Sequence, residues 1–135
     1  MTTVQLKPAA LQPWLLTMLR IVAGFTFALY GAKLIWGWFG GSGPNAGAVP
    51  VFSQIWIAGF LEFFGGTLIA LGLFTRPVAF VLSGEMAVAF FTVHFPQGWN
   101  PILNGGEPAV LFSFVFLYLW STGAGPISID RARSR

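Results

Sequence analysis

Long apolar runs separated by glycine- and proline-rich segments set the pattern of this chain. Trp14 to Trp38 is interrupted only by Arg20 and Lys33. Ser53 to Phe74 is apolar except for Glu62, and Val78 to Phe95 carries Glu85 and His94. Pro108 to Thr122 forms the last run, stopped by Gly123-Ala-Gly-Pro126. Residues 39–52 and 96–107 read as loops, and Thr75-Arg76-Pro77 as a tight connection. Pro77 suits the first turn of the following helix, where its missing N–H costs little. The pattern predicts four helical spans at about 14–38, 53–74, 77–95 and 108–123, in one domain over residues 1–135. The runs show no period of two, so a strand barrel is disfavoured. The last span is short; it either begins within the preceding loop or sits where the bilayer thins. No tandem repeat is visible. No cleavable signal peptide is expected, because the first run is long, holds Arg20 and is followed by no suitable small-residue cleavage site.

Composition identifies the solvent. Of 135 residues, 56% are apolar, 17% aromatic and 8% charged, against about 25% charged in average soluble domains. So short a chain cannot hide that much apolar surface from water. A lipid bilayer is the expected surrounding, and the fold class is an all-α membrane bundle of four transmembrane helices. Spans of about 20 residues leave no room for a separate soluble catalytic domain. With no cysteine, disulfides, thiol relays and thiolate-held iron–sulfur clusters are excluded. With one histidine, a single chain cannot offer two histidine ligands to a haem or zinc, and no metal site is expected.

The net charge of +3 is a topology signal rather than a nucleic-acid footprint. Four spans place Lys7, Arg76, Arg131, Arg133 and Arg135 on one side. The two long loops on the other side hold no Lys or Arg. The positive-inside rule then puts both termini in the cytoplasm. Tryptophans agree: Trp36, Trp38, Trp56 and Trp99 fall near the outer ends, Trp14 and Trp120 near the inner ends.

Candidate chemistry lies in the charges within the runs. A charge at the centre of a span costs roughly 2.5–3.5 kcal/mol, so each needs a partner or water. At about 1.5 Å per residue, Glu62 and Glu85 each lie about 13 Å into their spans, near the midplane, and Arg20 about 9 Å in from the inner side. The expected arrangement is a central cluster of Arg20, Glu62 and Glu85, and an outer cluster of Lys33, His94 and Glu107. Arg20, Gly24, Ala28 and Gly31 share one helix face; Gly59, Glu62 and Gly66 share another. Small residues at that spacing let helices approach, so an Arg20 contact with Glu62 or Glu85 is reasonable. Three readings of the central cluster stay open: an ion-pair network fixing helix register, a polar pocket for a headgroup or proton path, or contacts between subunits. His94 stands about half a turn from Glu85, and is either interfacial or a proton donor and acceptor. Glu107 before Pro108 reads as a helix start. There is no phosphate-binding glycine loop and no Ser/His/Asp set.

Arg20-Ile-Val-Ala-Gly24 with Tyr30-Gly31-Ala-Lys33 resembles the first-span pattern of the DoxX family of small bacterial membrane proteins. Gly59-Phe-Leu-Glu62, Gly65-Gly66 and Gly72-Leu-Phe-Thr75-Arg76 resemble its second span and turn. Glu85-Met86, Ala89 and His94 resemble its third. Asn104-Gly-Gly-Glu107 and Gly123-Ala-Gly-Pro126-Ile-Ser-Ile-Asp130 resemble the start and exit of its fourth. The resemblance implies a four-helix inner-membrane protein linked to quinone-dependent sulfur oxidation, as in the membrane subunit of thiosulfate:quinone oxidoreductase, or to oxidative stress. The resulting expectation is a non-autonomous oxidoreductase subunit with no intrinsic cofactor, binding a quinone or other small amphiphile and needing a redox partner protein. Arg20, Glu62 and Glu85 would meet the headgroup; Lys33, His94, Asn104 and Glu107 would line the outer entrance. The alternatives are a small proton-coupled permease, expected to be a homo-oligomer, and a non-catalytic scaffold.

Overall fold

In the computed structural model, which describes residue 5 and residues 7–135, every regular element among the described residues is helical. Helix α1 runs Pro8–Ile35, α2 Gln54–Leu71 and α3 Thr75–Gln97. A single turn, α4, covers Pro101–Asn104; α5 is Glu107–Thr122 and α6 Ile129–Arg133. Three of these, α1, α2 and α3, are long and apolar enough to cross a membrane. The fourth apolar helix, α5, is about 24 Å long, and Gly105 in the left-handed region separates it from α4. The chain is therefore a membrane protein with a short fourth helix in its bundle.

Helix boundaries follow local chemistry. α1 starts six residues earlier than the apolar run, because Pro8 sits in its first turn, where no N–H is required. Pro13 falls inside this helix, and Thr17 Oγ1 donates to the Pro13 carbonyl at 3.1 Å. Ser53 caps α2, accepting the Trp56 N–H at 3.2 Å. Gly72, at φ 68°, ends it: its N–H reaches Ile69 O at 3.0 Å, and Leu73 N–H reaches Leu68 O at 2.9 Å. Only a residue free to adopt positive φ closes a helix this way without strain.

Two helix pairs build the bundle. α1 and α2 touch through their backbones. A Cβ added at Gly24 would sit 2.6 Å from the Gly66 carbonyl oxygen, and one at Gly66 would sit 2.6 Å from Ala28 N. Gly31 abuts Gly59 and Phe63 in the same way. The shared faces expected for Gly24, Ala28, Gly31, Gly59 and Gly66 thus meet. α3 and α5 are joined by a reciprocal bond: Ser83 Oγ donates to Ser113 O at 2.8 Å, and Ser113 Oγ to Ser83 O at 3.0 Å. Phe27 locks the pairs together, its ring 4.8 Å from Phe116 and 5.2 Å from Phe112. Met18, Val22 and Phe25 on α1, Val81 and Val88 on α3 and Phe114 on α5 remain exposed. Such an outer shell suits lipid, not water.

The glycine contact makes a sharp contrast testable. Gly24→Val should destabilise the bundle by about 3 kcal/mol, since backbone atoms cannot move aside. Gly84, on the open face of α3 with no atom within 4 Å of an added Cβ, should tolerate Ala and gain about 0.5–1 kcal/mol from helix propensity. Reversible unfolding in mixed micelles measures both; equal effects would contradict the packing described.

Candidate functional site

Arg20 is almost fully buried, at 2% exposure, and its partners are not carboxylates. Its Nη1 donates to the carbonyl of Ala124, and its Nη2 to Ile127 O at 2.8 Å and Ala70 O at 3.4 Å. Its Nε meets no acceptor among the described residues. The expected contact with Glu62 or Glu85 is therefore absent; the carboxylate whose charge reaches Arg20 is Asp130. The physical reason is the segment after α5. Gly123 and Gly125 take positive φ and turn the chain back under the bundle, aiming its carbonyls at the guanidinium. Arg20 therefore belongs to a strap holding the C-terminal segment, not to a central cluster.

Asp130 completes the strap. Its Oδ1 accepts the Phe74 N–H at 2.8 Å and its Oδ2 the Thr75 N–H at 2.9 Å, while its own N–H donates to Gly72 O at 2.8 Å. A carboxylate is thereby set on the free N–H groups and positive dipole end of α3. Burial pushes the Asp130 carboxyl up, but hydrogen bonds from Thr75 and Phe74 and the charge of Arg133 outweigh it, leaving the group below its ordinary value. Phe74 itself sits at φ 51°, an uncommon conformation for a bulky residue. Its N–H is held by Asp130 and its ring lies 4.9 Å under the Arg133 guanidinium.

Without Arg20, the expected central cluster is left with two carboxylates, one on α2 and one on α3. Glu62 is 9% exposed, and both oxygens of Glu85 are buried without a hydrogen-bond donor among the described residues. The two lie near enough for their charges to interact. Glu62 falls in a π-helical turn, Leu61–Gly65, within α2. A second π turn, Phe90–His94, ends with the single histidine. Such turns occur often at functional sites, because the wider coil re-aims side chains.

At the other end of the bundle, His94 and Asn104 come together, and no ion pair joins Lys33, His94 and Glu107 among the described residues. His94 Nδ1 is 3.1 Å from the Asn104 carbonyl, which can only accept, so Nδ1 carries the proton there. Asn104 is buried; its Nδ2 donates to Gly98 O at 2.7 Å, and its Oδ1 accepts the Gly106 N–H at 2.8 Å. It staples the loop between α3 and α5. Lys33 is half-buried and takes part in no ion pair among the described residues. Glu107 is exposed in the first turn of α5, where Gly106 is the capping residue. It lies at the mouth of an apolar groove of about 300 Å³, lined also by Pro108, Leu111, Phe112 and Val115.

A family model named DoxX matches residues 15–95. The chain belongs to the DoxX family. An uncharacterized protein of Haemophilus influenzae is 44% identical over 123 residues, covering 88% of this chain and 90% of that relative. No solved structure matches. DoxX proteins are membrane proteins, often subunits of redox-related systems. The DoxX match contains Arg20, Lys33, Glu62, Glu85 and His94; Asn104, Glu107 and the strap lie beyond it.

Asp130 escaped the candidate set, although it is the one acid among the basic residues of its end of the bundle. That isolation was the available signal, since a lone acid beside a helix start invites capping. Arg20→Ala should cost about 3 kcal/mol by leaving the strap carbonyls without donors, and should expose the segment after α5 to limited proteolysis. Arg20→Lys should recover only part, because a single ammonium does not reproduce the guanidinium fork. Asp130, with its folded value depressed, stabilises fully above the unfolded aspartate pKa of about 3.9 and loses that contribution as pH falls through the lower folded value. Thermal unfolding of Asp130→Asn from pH 6 down to the acid range should show that this part of the acid dependence has gone.

Proposed function

We propose that this DoxX protein is the membrane subunit of a redox system, and that it binds a quinone-like or small amphiphilic ligand with Glu62 and Glu85 exchanging protons at its headgroup. The carrying observation is the buried, unpartnered state of the Glu85 oxygens beside Glu62. An ion-pair network that merely fixes helix register needs a cation at these carboxylates, and Arg20 is occupied by the strap. Ionisable groups within a membrane are costly and serve ligand or proton pathways. A quinone supplies two-electron, two-proton chemistry. The chain's carboxylates give or take the protons, and an oxidoreductase partner carries the electrons. The apolar groove beside Phe112 suits a prenyl or acyl tail, with the Glu107 carboxylate at its mouth. The distribution of Lys7, Arg76, Arg131, Arg133 and Arg135 supports cytoplasmic termini, and membership of the DoxX family supports a bacterial inner-membrane location.

Quinone titration of the protein in nanodiscs, followed by quenching of its tryptophan emission, tests this reading. Saturable binding is expected. Glu62→Gln and Glu85→Gln should keep the unfolding midpoint while slowing partner-driven quinone reduction by about a hundredfold, the usual worth of a positioned proton donor. Absence of saturable binding to both a benzoquinone and a naphthoquinone would sink the proposal. Proton-coupled solute uptake into liposomes, abolished by the same variants, would replace it with a carrier.

A further inference from the structure

The arginine-rich end of the bundle carries a groove walled on one side by the strap and away from Glu62 and Glu85. It has a volume of about 780 Å³ and opens between the start of α3 and the end of α5. Arg76 and Arg131 line it, with Thr122, Gly123 and Ser134. Arg76 lies across the end of α5, its Nη2 3.4 Å from Thr122 O. Gly123 makes room, since an added Cβ there would meet Arg76 Nε at 3.2 Å. The one carboxylate in the lining is Asp130, and both its oxygens already accept N–H groups from Phe74 and Thr75. The lining therefore holds two arginines against one acid that is engaged by a helix start.

An exposed aromatic seam lies beyond the groove's lining, further along α3 and α5. Phe80 stands one turn after Arg76 on α3, about 6 Å further along the helix axis. Its ring lies 5.7 Å from that of Trp120 on α5, and both side chains are exposed. Cations above an aromatic seam match an amphiphile with an anionic head. Guanidinium forks bind phosphate oxygens in pairs, and indole rings favour the depth where headgroup meets acyl chain.

We propose that this groove binds the phosphate of an anionic phospholipid, with Arg76 and Arg131 as its ligands and the Phe80–Trp120 seam against its acyl chain. The lipid bridges α3, α5 and the strap from outside, as Arg20 joins the strap to α1 and α2 from inside. Free phosphate shares the headgroup chemistry but has nothing to place on the seam.

The full chain in a nonionic detergent, studied by native mass spectrometry and thermal unfolding, decides the matter. The probes are dioleoylphosphatidylglycerol, dioleoylphosphatidylcholine and inorganic phosphate. Phosphatidylglycerol is expected to stay bound and to raise the unfolding midpoint; the other two are not. Arg76→Gln and Arg131→Gln should each weaken phosphatidylglycerol about fivefold, the worth of one cation at a lipid phosphate. Arg135→Gln, at the same end but outside the groove, should change it by about twofold or less. Equal loss in all three variants would overturn the site in favour of diffuse surface charge. Equal protection by inorganic phosphate would overturn the lipid assignment. If the arginine variants do not fold, the comparison of the two lipids on the unaltered chain still decides: equal retention of both refutes the proposal.

Discussion

One guanidinium organises this molecule. Arg20 enters the bundle as a cation that lipid cannot solvate, and a buried charge is tolerated only when its surroundings answer it. Here the answer comes from peptide dipoles. Carbonyls of Ala70, Ala124 and Ile127 converge on Arg20, tying α1 to the end of α2 and to the segment beyond α5. Once that segment is drawn under the bundle, Asp130 reaches the start of α3 and closes the circuit. The four spans are thereby fixed to one another at a single end by hydrogen bonds to Arg20 and Asp130.

The rest of the packing follows from the absence of a hydrophobic drive between helices in lipid. Lipid tails are as apolar as leucine, so contact must come from close fit and hydrogen bonds. α1 and α2 use the first means, with Gly24, Gly31 and Gly66 bringing backbone against backbone. α3 and α5 use the second, through Ser83 and Ser113. Aromatic packing joins the two pairs, where Phe27 meets Phe112 and Phe116. Most other large apolar side chains face outward.

The sequence carried the parts of this design that depend on period and composition. The apolar runs foretold the helices, and the spacing of small residues foretold the face on which α1 meets α2. The partner of Arg20 was not legible, because a backbone carbonyl has no residue type. What brings Ala124 and Ile127 to it is a pair of positive-φ glycines about a hundred residues away. Helical phase also failed as a guide beyond Glu62 and before His94. The π turns at Leu61–Gly65 and Phe90–His94 insert an extra step into a count that assumes 100° per residue. The pairing of His94 with Asn104 depended on how the loop folds, which Gly105 and Asn100 decide locally.

Removing Arg20 from the central cluster changes the meaning of what remains there. Had the arginine paired with a carboxylate, both would have been explained by the need to cancel charge, and neither would have pointed to a function. As built, backbone carbonyls accept from both terminal nitrogens of the arginine without help from Glu62 or Glu85. Leucine at either position would serve a lipid-embedded core better than a carboxyl group that finds no donor. Stability alone therefore gives no reason for two acids to stand within reach of each other's charge inside the bundle. A ligand or a proton that visits them does, and the wider turn carrying Glu62 is the kind of backbone irregularity that such sites retain at some cost to the helix.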